Sequence, residues 1–541
     1  MMGKRDQHHR SENITITLEQ LVPQDHLVRK VDQVMDFEFI YPLVEKLYCE
    51  NNGRPSIDPV LLIKMALLQY LFGIPSMRRT IKEIETNVAY RWFLGIGLDE
   101  KVPHFSNFGK NYVRRFQDTD VFETIFYRIL LQAVDAGFVD PSVLFMDSTH
   151  IKANANKRKF KKKKIVRRAI QQYKEELDLE INEDRVLHGK KPFTPKESRL
   201  ETREVKESTT DPESGYYVKG ERERLFAYSC HTACDRNGFV LGLILTPGNV
   251  HDSKMLEPLL ESVSHRFGQP FAVVADSAYK TVQLARHLLQ RNILPVFPYT
   301  RPRGVKGMFK TKDFYYDEYY DCYLCPKNQV LRYRTTTREG YREYVSDPTI
   351  CASCSFLSEC TKSQENKKMI LRHIWQEAMD EVEHLRHTPV NRTLYRKRQE
   401  TIERVFADAK EKHGMRWARY RGLKKTTLQA MLTFSALNLK KLANWSWDSG
   451  GNPCFSHYFI RLHKTNPHFN VEMRVCLQSE ALFYKKSVFF YSGFQSNKAN
   501  SPRVSSRYSP ASSVGSSGNC PIDNRFRYVT SFPRASIIRL T

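Results

Sequence analysis

From residue 14 to 140, apolar positions recur every three to four residues, the period of helices that bury one face. In DPVLLIKMALLQYLFG (58–73), Asp58 stands as an N-cap, Pro59 takes the first helical position and Gly73 closes the run. SMRRTIKEIETNVAYRWFLG (76–95) follows a Ser76 cap with the same spacing and predicts a further helix. HFSNFGKNYVRRF (104–116) sets Ser106 before a short basic helix carrying Lys110, Arg114 and Arg115. Short basic helices in series fit a helix-turn-helix-type DNA reader and equally a helical packing domain. Periodicity alone does not separate the two.

Beyond 140 the pattern changes to short apolar runs. Val143 to Met146 predict a strand ending on Asp147. A hairpin follows at Leu225–Cys234 and Phe239–Leu245, turned by Asp235-Arg236-Asn237-Gly238, whose Asn-Gly pair is a strong turn signal. FAVVADSAYKT (271–281) predicts a buried strand ending in Asp276, and ILPVF (293–297) another. Helices predicted at 253–266 and 281–291 lie between them, which makes an α/β arrangement with a mixed sheet. Residues 157 to 215 interrupt it. Nine Lys or Arg fall between Lys157 and Arg168, a charged helix is predicted over 165–189, and a polar loop follows. This reads as an insertion after the first strand, set beside whatever Asp147 serves. The alternative is a solvated helix that touches nothing. Helix returns at 388–447. One helix runs over 391–413 and stops at Gly414. A second, about 423–446, carries Leu428, Met431, Leu432, Phe434, Leu437 and Leu439.

Composition narrows the partners. The 541 residues carry a formal net charge of +25, with 41% apolar residues, and the pI is about 9.5. So large a positive excess favours nucleic acid over a membrane surface. No run of 18 apolar residues occurs, and MMGKRDQHHRSEN lacks the apolar core of a signal peptide. A cytoplasmic protein with no membrane partner is therefore expected. Its 11 Cys are expected to be reduced thiols or metal ligands. After Trp447 the composition turns Ser-rich, most clearly at 496–519, as in a disordered tail.

Three carboxylates stand out. Asp147 and Asp276 each end an apolar strand and precede Ser. Glu403 lies on the 391–413 helix, whose Ile402, Val405, Phe406 and Ala409 form an apolar stripe. Arg396, Gln399, Glu403, Ala407 and Lys410 share an adjacent face of that helix. A carboxylate repels phosphate whereas the basic block attracts it. A hard cation held by Asp and Glu oxygens reconciles the two.

This combination resembles the DDE transposases of bacterial insertion sequences. Glu403 and Lys410 fit the glutamate-six-residues-lysine part of the signature of the IS-four and IS-five groups. TPGNVHDSKMLEPLL and VVADSAYKT look like the segments around that family's second aspartate, and ETIERVFADAKEKHGMRWARYRGL like its glutamate helix. The helical first part resembles that of IS-eleven-eighty-two-like and InsH-like members, so the likeness covers about 14 to 447. Gln399 departs from it, because the signature has an arginine there. Arg398 and Arg396 are the neighbours that could stand in. The resemblance implies an RNase H-like mixed-sheet catalytic domain over 141–447, with a basic helical insertion at 157–222 and a small zinc-binding insertion at 313–365. A helical DNA-binding domain precedes it at 14–140, and a largely disordered extension follows at 448–541. It implies catalytic Asp147, Asp276 and Glu403 holding two Mg²⁺ or Mn²⁺ ions for in-line displacement at phosphorus. Lys410, Arg396, Arg404, Lys161, Lys162, Lys163, Lys164, Arg114 and Arg115 would hold double-stranded DNA, both the element's terminal inverted repeats and the target, with a dimer on DNA. His251 and Asp252 fall near the site and are given no catalytic role.

Cys322-x2-Cys325 and Cys351-x2-Cys354-x5-Cys360 give a zinc signal, against free thiols or a redox switch. Five cysteines compete for four positions. The resemblance selects Cys325, Cys351, Cys354 and Cys360 around a structural Zn²⁺ and leaves Cys322 as the spare. Two rival functions keep parts of this picture: an RNase H-like nuclease, and an inactive or domesticated zinc-containing DNA-binding protein. The tail beyond 448 is expected to be dispensable for activity.

Overall fold

The computed structural model describes Met2, Asn13 and residues 15–49, 56–166, 171–194, 202–220, 223–301 and 305–448. The expected tail lies, from 449 onward, outside the described residues.

Eight helices open the chain: α1 (Leu18–Leu21), α2 (Leu27–Val34), α3 (Ile40–Val44), α4 (Pro59–Leu71), α5 (Met77–Thr86), α6 (Val88–Leu94), α7 (Ser106–Asn111) and α8 (Val121–Asp135). Asp58 caps α4 as expected, its carboxylate accepting from the backbone N–H of Val60 and Leu61. The single helix expected over 76–95 is two. Asn87 takes an extended backbone and its side chain caps α6 through the Tyr90 N–H, so the break supplies its own cap. Ser106 is also not a cap. It begins α7, and His104 accepts its N–H.

The sheet that follows is built from β1 (Val143–Lys152) and strands that return to it. A two-stranded ribbon, β2 (Phe160–Val166) with β3 (Thr202–Ser208), and the helix α9 (Gln171–Leu187) form the insertion. Then come β4 (Gly215–Lys219), β5 (Glu223–Cys234), β6 (Val240–Pro247), α10 (Leu256–Phe267), β7 (Ala272–Val274), α11 (Val282–Gln290) and β8 (Leu294–Val296). The order is β5-β1-β7-β8, and β4 and β6 both pair with β5. β1 is antiparallel to β5 and parallel to β7, and β7 is parallel to β8.

The helix expected over 165–189 does not begin at Ile165: the lysine block together with Ile165 and Val166 lies in the ribbon. Alternation along β2 sets Lys161 and Lys163 against Glu207 of β3, while Lys162 meets Glu204. A helix would have stacked the same lysines on one another without those partners. Nor does α9 float in solvent. Asp184 accepts from Thr336 and Arg342, Arg185 donates to the Thr336 carbonyl, and Glu180 pairs with Arg286 of α11.

A five-stranded meander comes next: β9 (Tyr315–Asp317), β10 (Cys322–Leu324), β11 (Val330–Thr336), β12 (Tyr341–Val345) and, after α12 (Pro348–Ala352) and α13 (Leu357–Cys360), β13 (Met369–His373). It has a small core of its own around Phe314, Tyr323, Leu331, Tyr344 and Ile370. The chain ends its described course with α14 (Gln376–Leu385), α15 (Pro389–Lys397), α16 (Ile402–Glu411) and the long α17 (Leu423–Asp448).

α17 is the strut of the fold. Its Leu428, Leu432, Ala436, Leu439 and Ala443 belong to the same core as α2 to α8. On its other side, Asn438 accepts from the Val240 N–H and donates to the Val240 carbonyl, both at 2.9 Å, and so closes the outer edge of β6. The helical first part therefore does not complete its core alone. A second tie runs from α4 to the end of α16, where the buried His413 ring donates to the Tyr70 carbonyl. No helix among the described residues is long and apolar enough to cross a membrane.

Candidate active site and metal centres

Sheet register brings the first two carboxylates together. Phe145 pairs with Val274 at the last residue of β7. Asp147 and Asp276 each lie two residues beyond that pair, so the ends of adjacent parallel strands deliver them to one level of the fold. β1 does not stop at Asp147, as the apolar run suggested. It continues to Lys152 because β5 stays paired along its whole length, Asp147 facing Thr232 and Lys152 facing Ala227. Only β7 leaves, and its departure opens the side of the sheet on which the carboxylates sit.

The helix expected over 391–413 is broken, and the break shapes the site. α15 ends at Lys397 and α16 begins at Ile402. Between them the Thr401 hydroxyl donates back to the carbonyls of Lys397 and Arg398, a local bond that competes with the helical ladder. Arg396 and Gln399 therefore do not continue the face of Glu403. Arg398 is turned inward instead, where its guanidinium bridges Asp147 and Glu403, 2.5 Å from the latter's Oε1. Of the two neighbours that could replace the missing arginine, Arg398 is the one that reaches the site. Glu403 sits in the first turn of α16, where the helix dipole favours a carboxylate. α16 is held against β1 by the chain that follows it, through Lys152 N–H to the Arg416 carbonyl and Ala418 N–H to the Lys152 carbonyl.

The electrostatics follow from this crowding. Asp147 has a side chain 14% exposed and Glu403 one 47% exposed. Burial pushes the Asp147 carboxyl up to about 6; Arg398 and the Ser148 N–H hold it down, while Asp276 and Asp252 push it further up. Asp276 accepts from the Ala278 N–H at 2.9 Å. Lys410 lies two turns along α16 from Glu403. Its ammonium is lowered by burial and by Arg416 and Lys219, against the pull of Glu223 and Asp147. Asp252 also belongs to this group. Burial and Asp276 raise its carboxyl, whereas the Ser148 hydroxyl, which donates to it, lowers it. Its nearness to the site was expected from TPGNVHDS, but no role was assigned to it there. Tyr279, buried, faces all three aspartates and Arg398.

The predicted DNA contacts scatter. Lys410 is at the site. Arg404 is on another face of α16, in a cavity of about 390 Å³ shared with Lys412, Lys440 and Lys441. Arg396 and Arg114 are exposed, and Arg115 stacks over Tyr48 at 4.4 Å. Lys161 to Lys164 are exposed on the ribbon, with Lys161, Lys162 and Lys163 paired to glutamates as described.

The cysteines separate as four and one. Cys325, Cys351, Cys354 and Cys360 line a cavity of about 40 Å³, while Cys322 is buried in β10 away from it. The backbone N–H groups of Lys327 and Gln329 both point at the Cys325 sulfur at 3.4 Å, in a tight turn that places Asn328 at φ +56. Among the described residues, the three-donor group with ligand atoms all within 4.8 Å is Glu257, Glu261 and His287, at the α10–α11 interface; the cysteines and the aspartates stand wider apart. That acidic group is already served by Arg291, which pairs with Glu261.

Residues 16–114 match the family model of a transposase domain (DUF772), and residues 324–443 match that of a transposase DDE domain. Together the two matches support an insertion-sequence DDE transposase. The second match takes in Glu403, Lys410 and the four clustered cysteines of the transposase, and the first takes in α1 to α7. A DDE domain marks a polynucleotidyl-transferase or endonuclease type of enzyme, with DNA as its partner. No curated protein matches the chain.

Proposed function

We propose that this transposase cuts DNA at the ends of its insertion sequence and joins them to target DNA, with Asp147, Asp276 and Glu403 as its catalytic carboxylates. The observation that carries this is the convergence of Asp147 and Asp276 on adjacent parallel strands with Glu403, tied to Asp147 through Arg398. The strand order, three antiparallel strands β6-β5-β1 continued by parallel β7 and β8, supports an RNase H-like sheet. The helices α1 to α8 and the lysine ribbon supply the DNA-holding surfaces of this reading.

The donor set fits hard divalent cations: carboxylate oxygens only, buried enough to push Asp147 up, with a guanidinium already bridging two of them. Bound Mg²⁺ or Mn²⁺ would supply activation of water or a 3′-hydroxyl and stabilisation of the leaving oxygen. The chain's own contributions are distinct. Arg398 offsets the repulsion between Asp147 and Glu403. Lys410, part-buried beside the site, offers its ammonium to a phosphate flanking the scissile one. The ribbon lysines hold backbone farther away, without reading sequence.

Cys325, Cys351, Cys354 and Cys360 are assigned to one structural Zn²⁺. Four thiols around a small cavity, with two N–H groups already aimed at the Cys325 sulfur, fit a knuckle. Zn–S bonds of about 2.3 Å would draw them closer together. Recognition of terminal inverted repeats, and pairing of two ends by a dimer, belong to the same proposal.

The test is a cleavage and strand-transfer assay on labelled DNA carrying the repeats that flank the gene, with Mg²⁺ or Mn²⁺. Metal-dependent cutting at the repeat ends, lost in Asp276→Asn, is expected. Tight binding without cutting by the wild-type chain would overturn the proposal in favour of the DNA-binding alternative.

A further inference from the structure

Asp252 reaches the carboxylate centre from a part of the chain that none of the three catalytic positions uses. After β6 the chain turns at Gly248–Val250, and His251 caps a short 3-10 turn, Asp252–Lys254, by accepting the Ser253 N–H. This turn sets Asp252 within electrostatic reach of Asp147 and Asp276, where the Ser148 hydroxyl donates to it.

What stands behind Asp252 is the second observation. His231 lies on β5 directly opposite Ser148 and is 1% exposed. Its Nε2 is bonded to the Thr246 hydroxyl at 2.9 Å. Its Nδ1 has no hydrogen-bond partner and faces Asp252 Oδ1 at 3.6 Å. A buried ring nitrogen without a partner is costly, so its direction carries information. An imidazole fixed at one nitrogen and aimed at a carboxylate with the other is how outer groups orient a ligand-bearing carboxylate.

We propose that Asp252 is a fourth carboxylate of the metal centre and that His231 is the positioning residue that orients it. This rests on the metal-dependent reading of the site given above. Charge balance supports it. Two divalent cations bring four positive charges, Asp147, Asp276 and Glu403 supply three negative ones, and Arg398 adds another positive charge at the same place. A fourth carboxylate cuts the excess from two positive charges to one.

The test reads metal binding directly, on the full chain without DNA, by the electron paramagnetic resonance signal of free Mn²⁺. Asp147→Asn serves as the reference for a lost ligand. Asp252→Asn is expected to weaken Mn²⁺ binding roughly tenfold or more, and His231→Gln by about tenfold with the thermal midpoint unchanged. Asp252→Cys guards against a misfolded Asn variant. As a ligand position it should bind Cd²⁺ at the metal centre more tightly than the wild type does, because thiolate favours the softer ion. Asp147-dependent Mn²⁺ binding that is indifferent to Asp252→Asn, or an Asp252→Cys chain that folds and gains no Cd²⁺ affinity, overturns this inference alone. A wild-type chain with no Asp147-dependent Mn²⁺ binding overturns the metal-centre reading beneath it.

Discussion

Replacing Asn438 with alanine tests the claim that α17 is the strut between the helical first part and the sheet. The Asn438 carboxamide makes two hydrogen bonds with the backbone of Val240, one as acceptor and one as donor, each 2.9 Å and each in a buried setting. Alanine leaves a buried N–H and a buried carbonyl without partners. Each such group costs about 1–3 kcal/mol, and a solvent-poor gap beside α17 adds to that. A total of about 3 kcal/mol is expected. Spread over the unfolding entropy of a folded unit of roughly 400 residues, near 2.1 cal/mol/K per residue, it lowers the thermal midpoint by about 3–4 °C. Asn438→Asp separates the two bonds. Its carboxylate still accepts from the Val240 N–H but meets the Val240 carbonyl with like charge, so it should destabilise more than alanine does. Scanning calorimetry gives the midpoint, and hydrogen exchange at the Val240 amide gives the local effect. An Asn438→Ala midpoint within half a degree of wild type, with Val240 still protected, would refute the reasoning, because the edge of β6 would then be closed by something else.

Other consequences can be measured as directly. Gly73 has φ +64, and an added Cβ would run into the Lys412 carbonyl oxygen, so Gly73→Ala should lower the thermal midpoint and loosen the α4–α16 contact, seen as loss of exchange protection around His413. His373 is buried, its ring nitrogen Nδ1 accepts the Trp375 N–H, and burial with Arg286 nearby lowers its pKa to about 4. The unfolded ring binds protons below about 6.5 while the folded one does not, so stability should fall as pH drops from 6.5 towards 4, and His373→Asn should flatten that slope in a pH series of melting curves. The purified chain should carry one zinc, measured by elemental analysis; Cys354→Ser should lose it and Cys322→Ser keep it, and the reverse pattern would move the site. Arg398→Ala should leave Asp147 and Glu403 repelling each other without a cation between them, lowering cleavage well below wild type with less effect on DNA affinity in gel shift.

Much of the site was legible because its signals are local. The apolar run before Asp147 and the one before Asp276 announce two strands, and parallel pairing does the rest. The stripe Ile402, Val405, Phe406 and Ala409 announces α16 and with it Glu403. What the sequence hid depends on distant partners or on single side chains. Thr401 is tolerated in helices, so nothing nearby warns that its hydroxyl breaks this one and sends Arg398 to Asp147. The lysine block carries no strand signal of its own; Glu204 and Glu207, some forty residues on, pair with it across a ribbon. Asp252 was in plain view, but only the turn after β6 carries it to Asp147. Spacing alone left all five cysteines equal; the resemblance set Cys322 apart, and the meander holds it away from the cavity that the other four line.

The position of α17 also sets an order of events during synthesis. Helices α1 to α8 leave the ribosome first, yet the core they share is closed by Leu428, Leu432, Ala436, Leu439 and Ala443, the last of the described helices. Their apolar faces stay open until some three hundred further residues have been made. A nascent or prematurely stopped chain therefore exposes a sticky helical fragment, prone to aggregation and degradation. Translation itself becomes a checkpoint: the surfaces proposed to hold DNA are finished in the same step that fixes Glu403 in place.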